Sequence, residues 1–551
     1  PQSTFELGYT GVTATVTDAQ GLSANCSFLI QVKERKETCN GFDDDCDGLV
    51  DETEDWTPIG KRLASNGGAF DAYGGSVDID GAWAIVGSNH KAQGQSLGTA
   101  YILTRDPALT STWVEIALLL PPTVQTGDNF GASVAIADGI AAVGAPQDDE
   151  GAPNGGAVYL FHQSQNNPAQ WDFVKKVFPA DPSTAANFGA SVSLDGGRLL
   201  VGATLDDAAG SNSGAAYLFA RNLGGSDNWG QVSKLVANDG GDDDQFGGSV
   251  SLNGSNALVG ATGDDDKGAN AGAAYVFSQN TGGAGAWGQQ AKLVASNGQA
   301  DDNAGVSVSI SGNYALVGAD GSDLKANNAG AVFVYAFGPN GWQQQNYIVE
   351  SSGAADDRFG KSVSIDAEYA AVGAPGDDPY GNNSGRAFAF LRVSNGWAQV
   401  GLLSDGSGKS NDALGSTIAI SGRTIIAGVP NDDVVVNSDQ GSVMLFSGLC
   451  ADPQPRDAFE ETAELQNNGL KVECFPVPFD DQLTVRVTAH TTDVRIQCNN
   501  ALGQLVSTLY EGALDGTAQF NWETARLQPG VYFLRVQAGD QMTTKAVLLT
   551  R

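Results

Sequence analysis

"NFGASVSLDGGRLLVGATLDDAAGSNSGAAYLF", residues Asn187 to Phe219, returns 58 residues later as "QFGGSVSLNGSNALVGATGDDDKGANAGAAYVF", Gln245 to Phe277. Each copy holds short runs with the alternation or β-rich composition of strands, separated by Gly, Asn and Asp turns. In the first copy these runs are "SVSLD", "LLVGAT" and "AAYLFA", and a fourth, "WGQVSKLV", follows from Trp229. A repeat of this length is one supersecondary unit, which buries its apolar faces against its neighbours.

Working outward, the glycine of the FG pair recurs at Gly74, Gly131, Gly189, Gly247, Gly305, Gly360 and Gly415, with spacings of 57, 58, 58, 58, 55 and 55. Tryptophans keep the same step at Trp56, Trp113, Trp171, Trp229, Trp287, Trp342 and Trp397. Four strands per unit, repeated seven times, predict an all-β chain whose body, residues 56–446, is a seven-bladed β-propeller. A tryptophan strand at Trp56 to Leu63 precedes the first FG, and the last copy stops at Gly441 to Phe446 with no such strand after it. If that strand is the outermost of each blade, the first one completes the last blade, a 3+1 closure that removes an unpaired edge.

With those glycines and tryptophans in view, the units resemble FG-GAP repeats, the family that includes the propeller of integrin α subunits and many bacterial surface proteins. The resemblance implies a partner-binding face. It departs at one place: some integrin-type blades join their first two strands by a D-x-D-x-D-G calcium loop, whereas this chain has tight turns such as "LDGGRL" and "ISGNYA". Calcium inside the blades is therefore not expected. Carboxylates gather elsewhere. One group follows the second strand: Asp148 and Asp149, Asp206 and Asp207, Asp264 to Asp266, Asp377 and Asp378, Asp432 and Asp433. Another precedes the FG: Asp128, Asp242 to Asp244, Asp301 and Asp302, Asp356 and Asp357, Asp412. In a propeller both loops open on one face, which these residues would ring with negative charge. Aspartate also simply makes good turns and a soluble surface.

A separate acidic stretch, "CNGFDDDCDGLVDETE" from Cys39 to Glu54, fits the calcium-loop template D-x-D-x-D-G-x5-E. Asp43, Asp45 and Asp47 take loop positions 1, 3 and 5, Gly48 the sharp turn, Leu49 the backbone-carbonyl position 7, Asp51 position 9 and Glu54 position 12. An all-oxygen shell of this kind selects Ca2+, and residues 37–55 are read as an isolated extracellular calcium loop. A disulfide between Cys39 and Cys46 would close a short ring worth about 2 to 3 kcal/mol. The stretch also resembles a bacterial Cys-Asn-Gly-x-Asp-Asp-Asp-Cys-Asp-Gly metal-binding motif of secreted proteins.

The two ends read as further β modules. Residues Phe5 to Val32 alternate like two strands joined at Asp18 to Gly21, and resemble the last part of a hyalin-type, immunoglobulin-like repeat. About 33 residues (1–33) cannot bury a core alone, so the remainder of that domain is expected upstream. Residues 447–471 form a polar linker that has room for one or two helical turns around Asp457 to Leu465. From 472 to 551 the chain turns β-rich again, with "PVPF", "LGQ" and "GVYFLRV" in order. These landmarks resemble the C-terminal sorting domain of type IX secretion, with Val477 where asparagine is usual, and imply an immunoglobulin-like β-sandwich. They also imply export by the type IX machinery to the outside or the outer-membrane surface of a Gram-negative bacterium, after which such tails are usually removed.

Composition limits the partners. The net charge of -35 repels nucleic acid and anionic membranes, and calcium or cationic surfaces are the favoured company. No apolar run approaches the roughly 20 residues that span a bilayer, so no transmembrane segment is expected. Six cysteines, at 26, 39, 46, 450, 474 and 498, suit an oxidising compartment, with Cys474 and Cys498 the second candidate pair. His90, His162 and His490 share no ligand or triad spacing, and no nucleophile, phosphate or dinucleotide motif stands in its required context. The chain reads as a binding or adhesion protein for a protein or glycan ligand and not as an enzyme. A structural component of a surface layer or fibre, and a carbohydrate-active enzyme on a propeller, are the alternatives.

Overall fold

The structure is a computed structural model that describes residues 8–17, 23–32, 52–89, 98–105, 112–123, 127–164, 166–393, 396–434, 437–449, 471–475, 482–500, 505–523, 530–538 and 541–549. Among these the regular elements are strands only, and they fall into two compact units, Pro1–Gln454 and Pro455–Arg551.

The first unit contains seven four-stranded antiparallel sheets, the repeated sheets of a β-propeller. They are numbered here 1 to 7 by their second strands, Trp83–Ser88, Ile140–Ala145, Arg198–Ala203, Asn256–Ala261, Tyr314–Ala319, Tyr369–Ala374 and Thr424–Val429. Sheets 1 to 6 each use four strands consecutive in sequence; sheet 4, for example, runs Val250–Asn253, Asn256–Ala261, Ala273–Gln279, Trp287–Leu293. Sheet 7 takes Ile418–Ser421, Thr424–Val429 and Ser442–Leu449 from the end of the repeats and Glu52–Arg62 from their beginning, with Arg62 opposite Val443 and Pro58 opposite Phe446.

Burial explains the sequence pattern. Second and third strands lie between neighbouring sheets and are buried on both faces, so "NALVGA" and "AAYVFS" read as continuous apolar runs. Outermost strands alternate, as Trp113–Leu119 does, with Trp113 and Leu119 buried and Val114 and Leu118 exposed.

Neighbouring sheets are joined at their inner strands by a repeated contact. The FG glycine lies at φ near +90° in every copy, from +87° at Gly415 to +94° at Gly189 and Gly247. It meets the glycine of the preceding sheet's "VGA" segment: a Cβ on Gly202 would stand 1.9 Å from the Gly247 carbonyl oxygen. Beside it, a serine hydroxyl donates to the FG carbonyl of the next sheet, as in Ser191 to Gly247 at 2.8 Å and Ser249 to Gly305 at 2.7 Å. Thr417 of sheet 7 makes the same bond to Gly74 of sheet 1 at 2.8 Å. Two further rungs run along the inner strands: Ser251 Oγ accepts from the Ile310 amide at 3.1 Å, and Asn253 Oδ1 from the Gly312 amide at 3.0 Å, the latter matched between sheets 7 and 1 by Ser421 Oγ and the Gly81 amide at 3.0 Å.

Before the repeats, Gly8–Thr17 and Ser23–Val32 form an antiparallel hairpin. In the second unit, Lys471–Phe475, Gln482–Asn500, Gly530–Ala538 and Gln541–Leu549 are neighbours in that order, and Leu505–Glu523 pairs along Gln482–Asn500. A register shift between Thr491 and Val494 divides the long strand. Val485 and Val487 on one side of it share a core with Val494, Ile496, Leu534 and Val536 on the other.

Candidate functional site

The face that carries the aspartates is built from two kinds of loop: those joining second to third strands, and those leading into first strands. The structure brings them together. Asn212 of the first kind donates its side-chain amide to Asp243 of the second at 2.8 Å, and Asn270 and Asn328 reach Asp301 and Asp356 at 3.2 and 2.9 Å.

Most of these carboxylates hold backbone. Asp149, Asp207, Asp265, Asp323 and Asp378 each accept the amide of the asparagine five residues on, at 2.6 to 2.8 Å. Those asparagines, Asn154, Asn212, Asn270, Asn328 and Asn383, have φ of 48° to 52°, a conformation that asparagine tolerates better than most residues. Before the FG pairs, Asp71, Asp244, Asp302, Asp357 and Asp412 each accept the amide three residues back, at 2.5 to 2.8 Å.

The first aspartate of each pair is buried. Asp148, Asp206 and Asp264 are 0, 3 and 3 % exposed. Each accepts a tyrosine hydroxyl from the third strand of its own sheet: Tyr159 at 2.7 Å, Tyr217 at 2.6 Å and Tyr275 at 2.6 Å. Each also meets a lysine from the outermost strand, Lys176 at 2.6 Å, Lys234 at 3.0 Å and Lys292 at 2.7 Å, which lies over the tyrosine ring. Burial opposes a charged Lys292, but hydrogen bonds to Asp239, Asp264 and Asp266 outweigh it and raise its pKa. Those three carboxylates converge as a metal site would, and the Lys292 ammonium is the cation among them, 2.6 to 2.8 Å from each.

Other sheets solve the same charge problem differently. Asp377 of sheet 6 pairs with Arg386 at 2.9 Å, and Arg386 also reaches Glu350 of sheet 5 at 3.5 Å. Asp432 of sheet 7 meets Lys61 at 2.7 Å, and Lys61 also meets Asp405 of sheet 6 at 2.5 Å. Sheet 5 has Ser322 and Phe333 at the aspartate and tyrosine positions.

Cationic side chains join this face at sheet 6. Arg358 and Lys361 flank the FG glycine Gly360 of sheet 6, where sheet 4 has Gln245 and Gly248, and both line two adjoining clefts of about 340 and 370 Å³. Lys361 lies 3.3 Å from Asp320, and the remaining polar lining is mostly asparagine.

Of the other residues expected at a site, Asp43, Asp45, Asp47, Leu49, Asp51, Cys39 and Cys46 lie outside the described residues, as do residues 457–465. Glu54 falls in the strand Glu52–Arg62. The register sets Cys474 opposite Val485, and Cys498 opposite Ser507 and Leu534, so the backbone does not set the two cysteines against each other. The lysines and tyrosines of the buried network were not expected from the aspartates alone. Their signal is positional: Lys61, Lys176, Lys234 and Lys292 each stand five residues after a repeat tryptophan, and Tyr159, Tyr217 and Tyr275 eleven after the buried aspartate.

Six copies match the FG-GAP repeat family, at residues 56–103, 113–161, 171–219, 229–277, 287–335 and 342–390. Residues 473–550 match the secretion system C-terminal sorting domain. The segment from Trp397 to Phe446, where Leu414 precedes the glycine and Thr417 replaces the serine, is not among the matched copies. No curated protein matches the chain in sequence. Among solved structures it is similar to Sqt1 of Chaetomium thermophilum (11 % identity, 68 % of this chain and 83 % of that one, TM-score 0.39). It is also similar to a Trypanosoma rangeli sialidase (11 %, 82 and 89 %, 0.33) and to a glucose dehydrogenase (10 %, 71 and 99 %, 0.35). At these scores the likenesses say nothing about chemistry.

Proposed function

The chain belongs to the FG-GAP repeat family, and from that premise we propose that it is a secreted or cell-surface binding and adhesion protein, not an enzyme, whose propeller holds a protein or glycan ligand. The observation that carries this reading is the sorting domain at residues 473–550, which directs the chain to type IX secretion, standing behind a body of repeated β sheets. Its destination on this reading is the extracellular space or the outer-membrane surface. The seven sheets are taken as the blades of a closed ring, a reading supported by the pairing of Glu52–Arg62 with Ser442–Leu449 and by the Thr417 to Gly74 and Ser421 to Gly81 bonds. A binding role is favoured over catalysis by the use made of the buried aspartates, which are held by lysine, arginine or tyrosine of the scaffold. Ca2+ is assigned to the loop Asp43 to Glu54 on its sequence register, and Glu54→Gln is expected to weaken calcium binding in a calorimeter.

The test is localisation followed by binding. In a host with type IX machinery, the full chain is expected at the surface or in the medium, and a chain ending at residue 471 inside the cell. Surface delivery of the shortened chain would end the export reading. Saturable retention on a protein or glycan array is expected of the purified full chain, and the lack of any ligand across both arrays would end the binding reading.

A further inference from the structure

We infer that a cleft at the rim between sheets 4 and 5, on the face opposite the aspartate loops, is a binding site for a neutral saccharide. This inference rests on the reading of the chain as a binding protein, and names one of its ligands by chemistry.

The cleft lies at a sheet junction that departs from the commoner arrangement. The first residue of the second strand normally packs on the tryptophan of the next sheet. Trp83 meets Trp171 with ring centroids 6.1 Å apart, Tyr314 meets Trp397 at 6.5 Å, Tyr369 meets Trp56 at 6.1 Å, and Arg198 covers Trp287 at 6.0 Å. In sheet 4 this residue is the smaller Asn256, and the buried Trp342 packs instead on Phe337 of its own sheet. The residue three after the tryptophan changes with it. It is Ile59, Ile116, Val174, Val232 and Val400 in five copies, and Gln290 in sheet 4, with Gln345 in sheet 5. An apolar junction has become an amide-lined one, open over about 410 Å³.

The amides are held in one orientation. Trp342 Nε1 donates to Gln290 Oε1 at 2.9 Å, and Ser278 Oγ lies 2.6 Å from Asn256 Oδ1 and 3.0 Å from Gln290 Oε1. With both oxygens engaged by the protein, the two NH2 groups are the ends left for the cleft. Gln279 and Asn313 add further amides, and Phe337 stands at the margin, 40 % exposed and braced by Trp342 at 5.5 Å.

The lining contains no charged side chain, on a chain whose net charge is -35. An ionic ligand would find no counter-charge there. A sugar hydroxyl accepts from an amide NH2 and donates to an amide oxygen, while the C–H face of a pyranose ring covers an aromatic side chain. Pre-oriented donors beside a rigid aromatic provide both with little ordering cost.

The experiment is calorimetric titration of the full chain with short neutral β-glucan, xylan and mannan oligosaccharides, and with an oligouronate as the charged control. At least one neutral series is expected to bind saturably, and the oligouronate is not. Gln290→Val installs the residue that other copies carry at this position, so it should fold with an unchanged thermal midpoint and lose affinity by about tenfold or more, near 1.4 kcal/mol. Phe337→Ala is expected to do the same, and Phe337→Tyr to retain binding. No neutral oligosaccharide bound, binding of the oligouronate alone, or parental affinity in both Gln290→Val and Phe337→Ala would each overturn the site. Retention of a protein ligand without any neutral saccharide would remove the cleft and leave the binding reading standing.

Discussion

Asp264 is a charged group taken almost entirely out of water, and it is tolerated because an ammonium and a phenol were buried with it. Removing one partner leaves the other uncompensated, which for a buried pair costs about 3 to 5 kcal/mol. Lys292→Met is therefore expected to lower the denaturant midpoint sharply, whereas Lys267→Met, on the loop that carries Asp264, should leave it in place. Not every carboxylate drawn out of water is so provided for, and Asp78 is a half-buried one. Asp78 accepts the Ile136 amide at 2.8 Å where Ser193, Ser251, Ser309 and Ser364 do the same work in later sheets. Burial pushes its pKa up to about 7, and that of Asp128, beside Asp148, up to about 6. A carboxyl whose folded pKa is raised binds its proton more tightly folded than unfolded, so its contribution is fully present below about pH 4 and is lost as pH rises through 6 to 7. Asp78→Ser should thus stabilise the chain at pH 8, by roughly 1 kcal/mol or more, and bring no gain near pH 4; thermal melts across that range measure it. The sequence displays all these aspartates, but which are buried depends on neighbours tens of residues away. Only the fixed step from tryptophan to lysine hinted at the pairing.

At the scale of the element, the inner strands are defined by what they exclude. Gly202 has room for no side chain, since a Cβ would stand 1.9 Å from the Gly247 carbonyl oxygen and 2.4 Å from Ser191 Oγ. Gly202→Ala is expected to prevent folding of sheets 3 and 4 against each other, seen as insolubility or as a loss of several kcal/mol. Ser249→Ala, which removes only the bond to the Gly305 carbonyl, should cost about 1 kcal/mol. Both positions were plain in the sequence as recurring letters. Their meaning was not, because the Gly202 to Gly247 approach joins different sheets and no local turn requires it. Conversely, the apolar second strands were read correctly as strands from the run "LLVGAT" alone, since a segment buried on both faces needs no alternation.

For the whole molecule, the strand Glu52–Arg62 is the piece on which the array depends, because it is the only partner of the outer edge of Ser442–Leu449 among the described strands. A chain beginning at residue 64 should expose that edge and also lose Lys61, the cation between Asp405 and Asp432. Aggregation or a lower thermal midpoint is expected, with the isolated segment restoring the parent behaviour when added back; an unchanged melt would refute the dependence. By itself the sequence determined the unit, its four strands, its recurrence and the sorting tail, because each is written in local periodicity and in motifs of contiguous residues. Only the tertiary structure decided which aspartates are buried, which cation serves each of them, and where one junction exchanges an apolar contact for amides. Those outcomes depend on partners distant in the chain, such as Lys292 for Asp264 within one sheet and Trp342 for Gln290 between two, and no turn or strand pattern records their distance.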